Sequence, residues 1–338
     1  MIGINGPAVT AWLEAHVDGV VAPLSFELIA GGHSNLTYRI TDAAGRRLVL
    51  RRPPMGSVLS TAHDMVREHR LISAISATNV PVPPSLGLCT DVEVNEAPFY
   101  VMDYVEGVVL DAPAAADGLA PGTRIALSEN LIDVMSELHA VDIDAVGLGD
   151  LGRREGYIER QLRRWAQQWQ NSKTRELPAI DEVERRLRQR IPPQQSAAVV
   201  HGDYRFGNCL VDTGAGRLSA VLDWELCALG DPLADLGYLG VYWTDEGEQP
   251  RRRDVTAAGG FPPYSDLVSR YATRTGRDVS AVPYYRAFSS WRLAVILEGV
   301  YARYLNGVMG DADLDPDRFR VEVEQLSLSA SEWLDQTP

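Results

Sequence analysis

The sequence predicts an α+β chain with a small β-rich first third and a larger, mainly helical remainder. Between residues 26 and 105, short apolar or alternating runs are bounded by turn residues, the signature of strands. After Gly107 the period changes: Leu127, Leu131, Val134, Met135 and Leu138 recur at helical spacing on one face. The change falls near residue 105, which places a first lobe at 1–105, with an N-terminal helix, and a second at 106–338. Over 338 residues, 45% hydrophobic and 23% charged content suits a globular protein with a substantial core and excludes a disordered chain.

In chain order, strands are expected at 26–29, 36–40, 47–51, 86–89 and 99–105. One helix, at 62–79, interrupts them. Met65, Ile72 and Ile75 share its face, and it must stop before Pro81, Pro83 and Pro84. Beyond the helix that ends at Leu138, further helices are expected near 156–170, 180–190, 232–243, 264–275, 282–305 and 316–335, with a small β unit at 197–223. His139, at the end of its helix, reads as a packed core residue. Two lobes of this kind place a ligand in the cleft between them.

The charge of −14 has the wrong sign for neutralising a phosphate backbone, so no nucleic-acid partner is expected. No basic-then-apolar leader opens the chain, and no run approaches the roughly 20 apolar residues of a membrane span. A cytoplasmic location without membrane contact is therefore expected. Cys89, Cys209 and Cys227 are far apart with no CxxC pair, and are expected to be buried small hydrophobes.

The most informative segments are 198–212, which contains His201-Gly202-Asp203-Tyr204-Arg205-Phe206-Gly207-Asn208, and 218–225, which contains Leu222-Asp223-Trp224-Glu225. Two apolar strands around the turn 213–217 read as a hairpin, which would bring Asn208 opposite the Leu222–Asp223 end. An amide oxygen beside a carboxylate forms a hard-oxygen pair suited to Mg²⁺. Asp203, on a tight loop with Gly202 and Gly207, is placed to take a proton from a hydroxyl, and Arg205 adds positive charge for a transferring phosphoryl group.

These motifs, with Gly230-Asp231-Pro232-Leu233-Ala234-Asp235-Leu236 downstream, resemble the aminoglycoside phosphotransferase and choline kinase family, over roughly residues 25 to 305. The segments 48–54 and 99–104 look closest to the phosphotransferase domains associated with acyl-CoA dehydrogenases. The resemblance implies a bilobal protein-kinase-like fold, with Asp203 as catalytic base, Asn208 and Asp223 as Mg²⁺ ligands, and Arg205 in the place of the catalytic-loop lysine. It implies that Asp235 braces the catalytic loop. Asp231 reads as a helix cap before Pro232, and His201 as a structural residue of the loop.

In the first lobe, Gly31-Gly32-His33-Ser34-Asn35 is either a polar hairpin turn or a loop whose amides approach phosphate, with Ser34 and Asn35 as nucleotide contacts. Glu68 shares the face of Met65, Ile72 and Ile75, where a carboxylate needs a cation. The resemblance supplies it from the third strand, where Arg51, with Arg52 as the other candidate, stands in place of the lysine of many kinases. Met102, Asp103 and Val105 are placed to meet a nucleotide base through backbone groups and an apolar face. Arg153-Arg154 and Arg251-Arg252-Arg253 read as solvated surface.

The expected activity is transfer of the γ-phosphate of ATP or GTP, with Mg²⁺, to a hydroxyl of a small molecule. The acyl-CoA dehydrogenase-associated resemblance favours a hydroxy acid or hydroxyacyl acceptor over an aminoglycoside or amino alcohol. A non-catalytic nucleotide-binding module is the competing reading. A two-metal phosphohydrolase is a third, disfavoured because the six histidines form no HxH pair or cluster.

Overall fold

The computed structural model describes residues 2–30, 35–55, 64–250, 254–307 and 315–337. The chain divides into two compact units. The first comprises Met1–Gly107, Val146–Leu148 and Ser219–Glu225, and the second Val108–Ala145, Gly149–Leu218 and Leu226–Pro338.

The first unit opens with α1 (Gly6–His16), capped by the Asn5 side chain, which accepts from the Ala8 amide. There follow β1 (Ser25–Ala30), β2 (Leu36–Thr41), β3 (Arg47–Arg52), α2 (Met65–Ile75), β4 (Ser85–Cys89), the single turn α3 (Val92–Asn95) and β5 (Phe99–Asp103). The strands form an antiparallel sheet in the order β1-β2-β3-β5-β4. Strand alternation sorts its faces. Tyr38, Ile40, Leu48, Leu50, Phe99 and Val101 join Val9 and Leu13 of α1 in one core. The register Arg51↔Tyr100 and Val49↔Met102 puts those four side chains on the opposite face. Helix α2 packs on β4 and β5 and buries Met65, Glu68, Leu71, Ile72 and Ile75 as a single stripe. Its N-cap is Asp64, whose side chain accepts from the Arg67 amide.

The second unit contains β6 (Val108–Val109), α4 (Pro121–Leu138), α5 (Tyr157–Ser172), α6 (Pro178–Gln189), β7 (Ala198–Val200), β8 (Cys209–Asp212), the start of β9 (Arg217–Val221), β10 (Ala228–Gly230), α7 (Leu233–Val241), α8 (Tyr264–Thr275), α9 (Val282–Leu305) and α10 (Asp317–Asp335). Strand β7 pairs with β10, and a three-stranded sheet runs β6-β8-β9, with β9 contributing its first two residues to this unit. Helix α9 is buried along most of its length and packs on α7, α10, α5 and α6, which marks it as the axis of the unit. A Cβ at Gly237 would lie 2.5 Å from the Tyr285 backbone, so the close passage of α7 over α9 requires glycine there.

The structure bears out the expected α+β architecture, and the helix expectations are met to within a few residues. The helix expected at 62–79 begins at Met65, after its Asp64 cap, and ends at Ile75. The strand expected at 99–105 ends at Asp103, and β6, β10 and α3 were not anticipated because each is only two to four residues long. No described helix is long and apolar enough to cross a membrane. The three cysteines are buried and free, as expected.

The α7–α9 crossing gives a direct test of packing. Gly237→Ala is expected to lower stability by about 2 kcal/mol through overpacking, read as a fall in urea midpoint with unchanged slope. An unchanged midpoint would show that the crossing has room to spare.

Candidate functional site

Strand β7 is fully buried and delivers the loop 201–208 at its end. The loop is held by its own backbone. Asp235 of α7, 1% exposed, accepts from the His201 amide at 2.7 Å and the Gly202 amide at 2.8 Å. Burial acts to raise its carboxyl pKa, but the His139 hydrogen bond and charge, with His201 and the Gly202 amide, bring it below the ordinary aspartate value. Gly202 has φ +85°, and a Cβ there would meet the Leu226 carbonyl oxygen at 2.8 Å, so both conformation and space require glycine. Arg292 of α9 donates to the Gly202 carbonyl, and the His201 Nδ1 accepts from the Asp203 amide at 3.2 Å. His201 is thus a fixed part of the loop, as its burial requires.

These contacts set the Asp203 carboxylate. Asn208 Nδ2 donates to Asp203 Oδ2 at 2.7 Å and to the Asp203 carbonyl at 2.8 Å, leaving Asn208 Oδ1 with no partner among the described residues. Arg205 Nε lies 3.4 Å from Asp203 Oδ1, and its guanidinium stacks over Tyr242 at 4.9 Å. The Asn208 amide, the Asp203 carboxylate and one cation, Arg205, therefore share one loop. Asp231 Oδ1 accepts from the Leu233 amide at 3.1 Å, the expected cap, while its Oδ2 accepts from the Tyr285 hydroxyl at 2.6 Å.

The first unit holds a second constellation. Arg51 Nε approaches Glu68 Oε1 at 2.9 Å, out of line for a hydrogen bond, and Arg51 Nη2 donates to Asp223 Oδ1 at 2.6 Å. Tyr100 donates its hydroxyl to Glu68 Oε1 at 3.0 Å, and Asn35 Nδ2 donates to Glu68 Oε2 at 3.4 Å. Burial pushes the Glu68 carboxyl up against the opposing pull of Arg51 and Tyr100. Burial also works against the Arg51 charge, yet Glu68 and Asp223 hold its pKa above the usual arginine value. Asp223 has φ +64°, a left-handed conformation that few residues other than glycine adopt and that tends to occur where function requires it.

Of the two arginines, Arg51, at the expected position, pairs with Glu68, whereas Arg52 donates to the backbone oxygens of Gly3, Pro53 and Asn95. Met102 is buried on the sheet face shared with Arg51 and Tyr100. The Asp103 amide donates to the Pro84 carbonyl at 2.9 Å and its carboxylate pairs with Arg46 at 3.0 Å, so its N–H is engaged within the first unit. Val105 lies past the end of β5 and is half-buried. Ser34, with Gly31, Gly32 and His33, and Arg251–Arg253 lie outside the described residues. Tyr100, His139 and Arg292 were not picked out as site residues. The i,i+2 alternation with Met102 hints at Tyr100, but its pairing opposite Arg51 depends on sheet register.

Taken singly, Asn208 in the second unit and Asp223 in the first each carry an oxygen of the type a hard divalent cation takes, the Asn208 amide oxygen and the Asp223 carboxylate, whose Oδ1 accepts from Arg51.

A small antiparallel-sheet unit and a larger helical unit, with a loop-borne aspartate in one and a buried arginine–glutamate pair in the other, define a protein-kinase-like fold. Residues 25–270 match the family described as the phosphotransferase enzyme family, APH, and the chain belongs to it. A candidate aminoglycoside phosphotransferase of Ralstonia eutropha, of known structure, is 34% identical with a TM-score of 0.81, covering 96% of this chain and 98% of that one. Acyl-CoA dehydrogenase family member 10 of Mus musculus is 36% identical over 89% of this chain, and member 11 of Homo sapiens 30% identical over 90%. The chain spans 28% and 40% of the lengths of those two relatives.

The buried pair in the first unit is testable without any ligand. Arg51→Met is expected to cost about 3 kcal/mol by stranding a buried carboxylate, and adding Glu68→Gln to recover much of it. Denaturant midpoints of the two variants check this; equal midpoints would show that the charges are not coupled.

Proposed function

We propose that the chain transfers the γ-phosphate of ATP or GTP, with Mg²⁺, to a hydroxyl of a hydroxy acid or hydroxyacyl compound. The observation that carries the catalytic part is the loop in which Asn208 pins the Asp203 carboxylate while Asp235 fixes the backbone before it. In this reading Asp203 orients the acceptor hydroxyl and takes its proton as the oxygen attacks the γ-phosphorus. The bond to the β-phosphate oxygen breaks and the nucleoside diphosphate leaves. Arg205 swings from Asp203 to the transferring group, and Arg51 contributes positive charge toward the nucleotide phosphates. Asn208 and Asp223 would hold Mg²⁺, which when bound neutralises phosphate charge. The first unit serves the nucleotide and the second carries the base and the acceptor contacts.

The acceptor class rests on the acyl-CoA dehydrogenase family relatives, which match along almost the whole of this chain. An aminoglycoside or amino-alcohol acceptor is the second reading, favoured by the description of the Ralstonia eutropha structure and by a 38% match over 89 residues to a viomycin phosphotransferase of Streptomyces vinaceus.

Nucleoside diphosphate release measured across hydroxy acids, hydroxyacyl thioesters, amino alcohols and aminoglycosides tests both readings. Asp203→Ala should lower acceptor-dependent turnover by about a hundredfold or more. Full activity in that variant would remove Asp203 from the chemistry. Nucleotide binding with no turnover on any acceptor would instead make the chain a non-catalytic module.

A further inference from the structure

Three helices converge behind the loop that carries Asp203. His139 caps the C-terminus of α4, is 3% exposed, and places Nε2 at 3.1 Å from Asp235 Oδ2 and Nδ1 at 2.7 Å from the Tyr271 hydroxyl of α8. An ionised carboxylate only accepts, so Nε2 carries a proton and donates to Asp235, while Nδ1 hydrogen-bonds with the Tyr271 hydroxyl. Asp235 Oδ2 thus receives both His139 and the His201 amide, while Oδ1 receives the Gly202 amide. Arg277 ties down the His139 backbone, donating to its carbonyl at 3.0 Å.

We propose that His139 is a positioning residue for phosphoryl transfer: the chain Tyr271–His139–Asp235 sets the plane of the Asp235 carboxylate so that each oxygen meets one loop amide and Asp203 is held in register. A carboxylate gripped only by two adjacent amides can still rock about its side-chain torsions. A third donor from a different helix, itself oriented by a fourth group, removes that freedom. Misplacement of a base by a fraction of an ångström costs rate rather than nucleotide affinity. The effect on turnover rests on the phosphotransferase mechanism proposed above; the effect on the loop does not.

The test uses the full-length protein with glycine and histidine labelled by nitrogen-15, and the best acceptor from the panel. In His139→Ala, kcat is expected to fall about tenfold or more with nucleotide KM little changed, and the His201 and Gly202 amide resonances to move. His139→Gln, whose amide reaches toward Asp235 as Nε2 does, should restore most of both. Tyr271→Phe should give a smaller loss of the same kind, and it decides the matter if His139→Ala does not fold. A folded variant with wild-type kcat and unmoved amide resonances overturns the proposal, as does a lowered melting temperature with both readouts unchanged. If no acceptor is turned over at all, the phosphotransferase mechanism fails, while the amide resonances still decide whether His139 orients the loop.

Discussion

Asp235 is a buried anion, and much of the second unit is arranged to make that tolerable. An isolated carboxylate in a dry interior costs several kcal/mol. Here it is offset by two consecutive backbone amides and an imidazole, all within 3.1 Å. Those donors come from the 201–208 loop and from the end of α4, so α7 must run close to both. Its entirely buried course and its glycine contact with α9 follow from that requirement. The loop gains a fixed backbone immediately before Asp203, which a surface turn of the same sequence would lack.

The first unit solves a related problem with a different partner. Glu68 is buried on a sheet-facing helix stripe, and its compensation is a guanidinium rather than amides. Arginine suits this place because its planar fork reaches two carboxylates, Glu68 and Asp223, at once. A lysine ammonium would be a single point of charge. The same bridging means that Asp223 is already partnered through one oxygen. A cation drawn to it would therefore meet Arg51 as a competitor.

The sequence made the local chemistry legible where it was carried by neighbours along the chain. Asp203 and Asn208 lie five positions apart on one loop, Asp231 precedes a helix start, and Glu68 sits on an apolar helical face; each could be read from periodicity or spacing. What escaped the sequence was set by register and tertiary contact. Tyr100 meets Glu68 because β5 pairs with β3 at Arg51, and Asp103 gives its amide to Pro84 because β5 also pairs with β4. His139 reads as ordinary core from its helix alone; only the meeting of α4, α7 and α8 gives both ring nitrogens a partner. The acceptor was the least legible feature, since family motifs specify the transferred group and not the molecule that receives it.

The central claim is that a hydroxyl, not water, receives the phosphoryl group. Incubating the protein with Mg²⁺ and ATP labelled with oxygen-18 on the γ-phosphate, together with a mixture of hydroxy acids, hydroxyacyl thioesters, amino alcohols and aminoglycosides, tests it directly by mass spectrometry. The account predicts a labelled phosphate monoester of one class of acceptor, formed in step with ADP. Label found only in inorganic phosphate, or remaining in ATP, would contradict it.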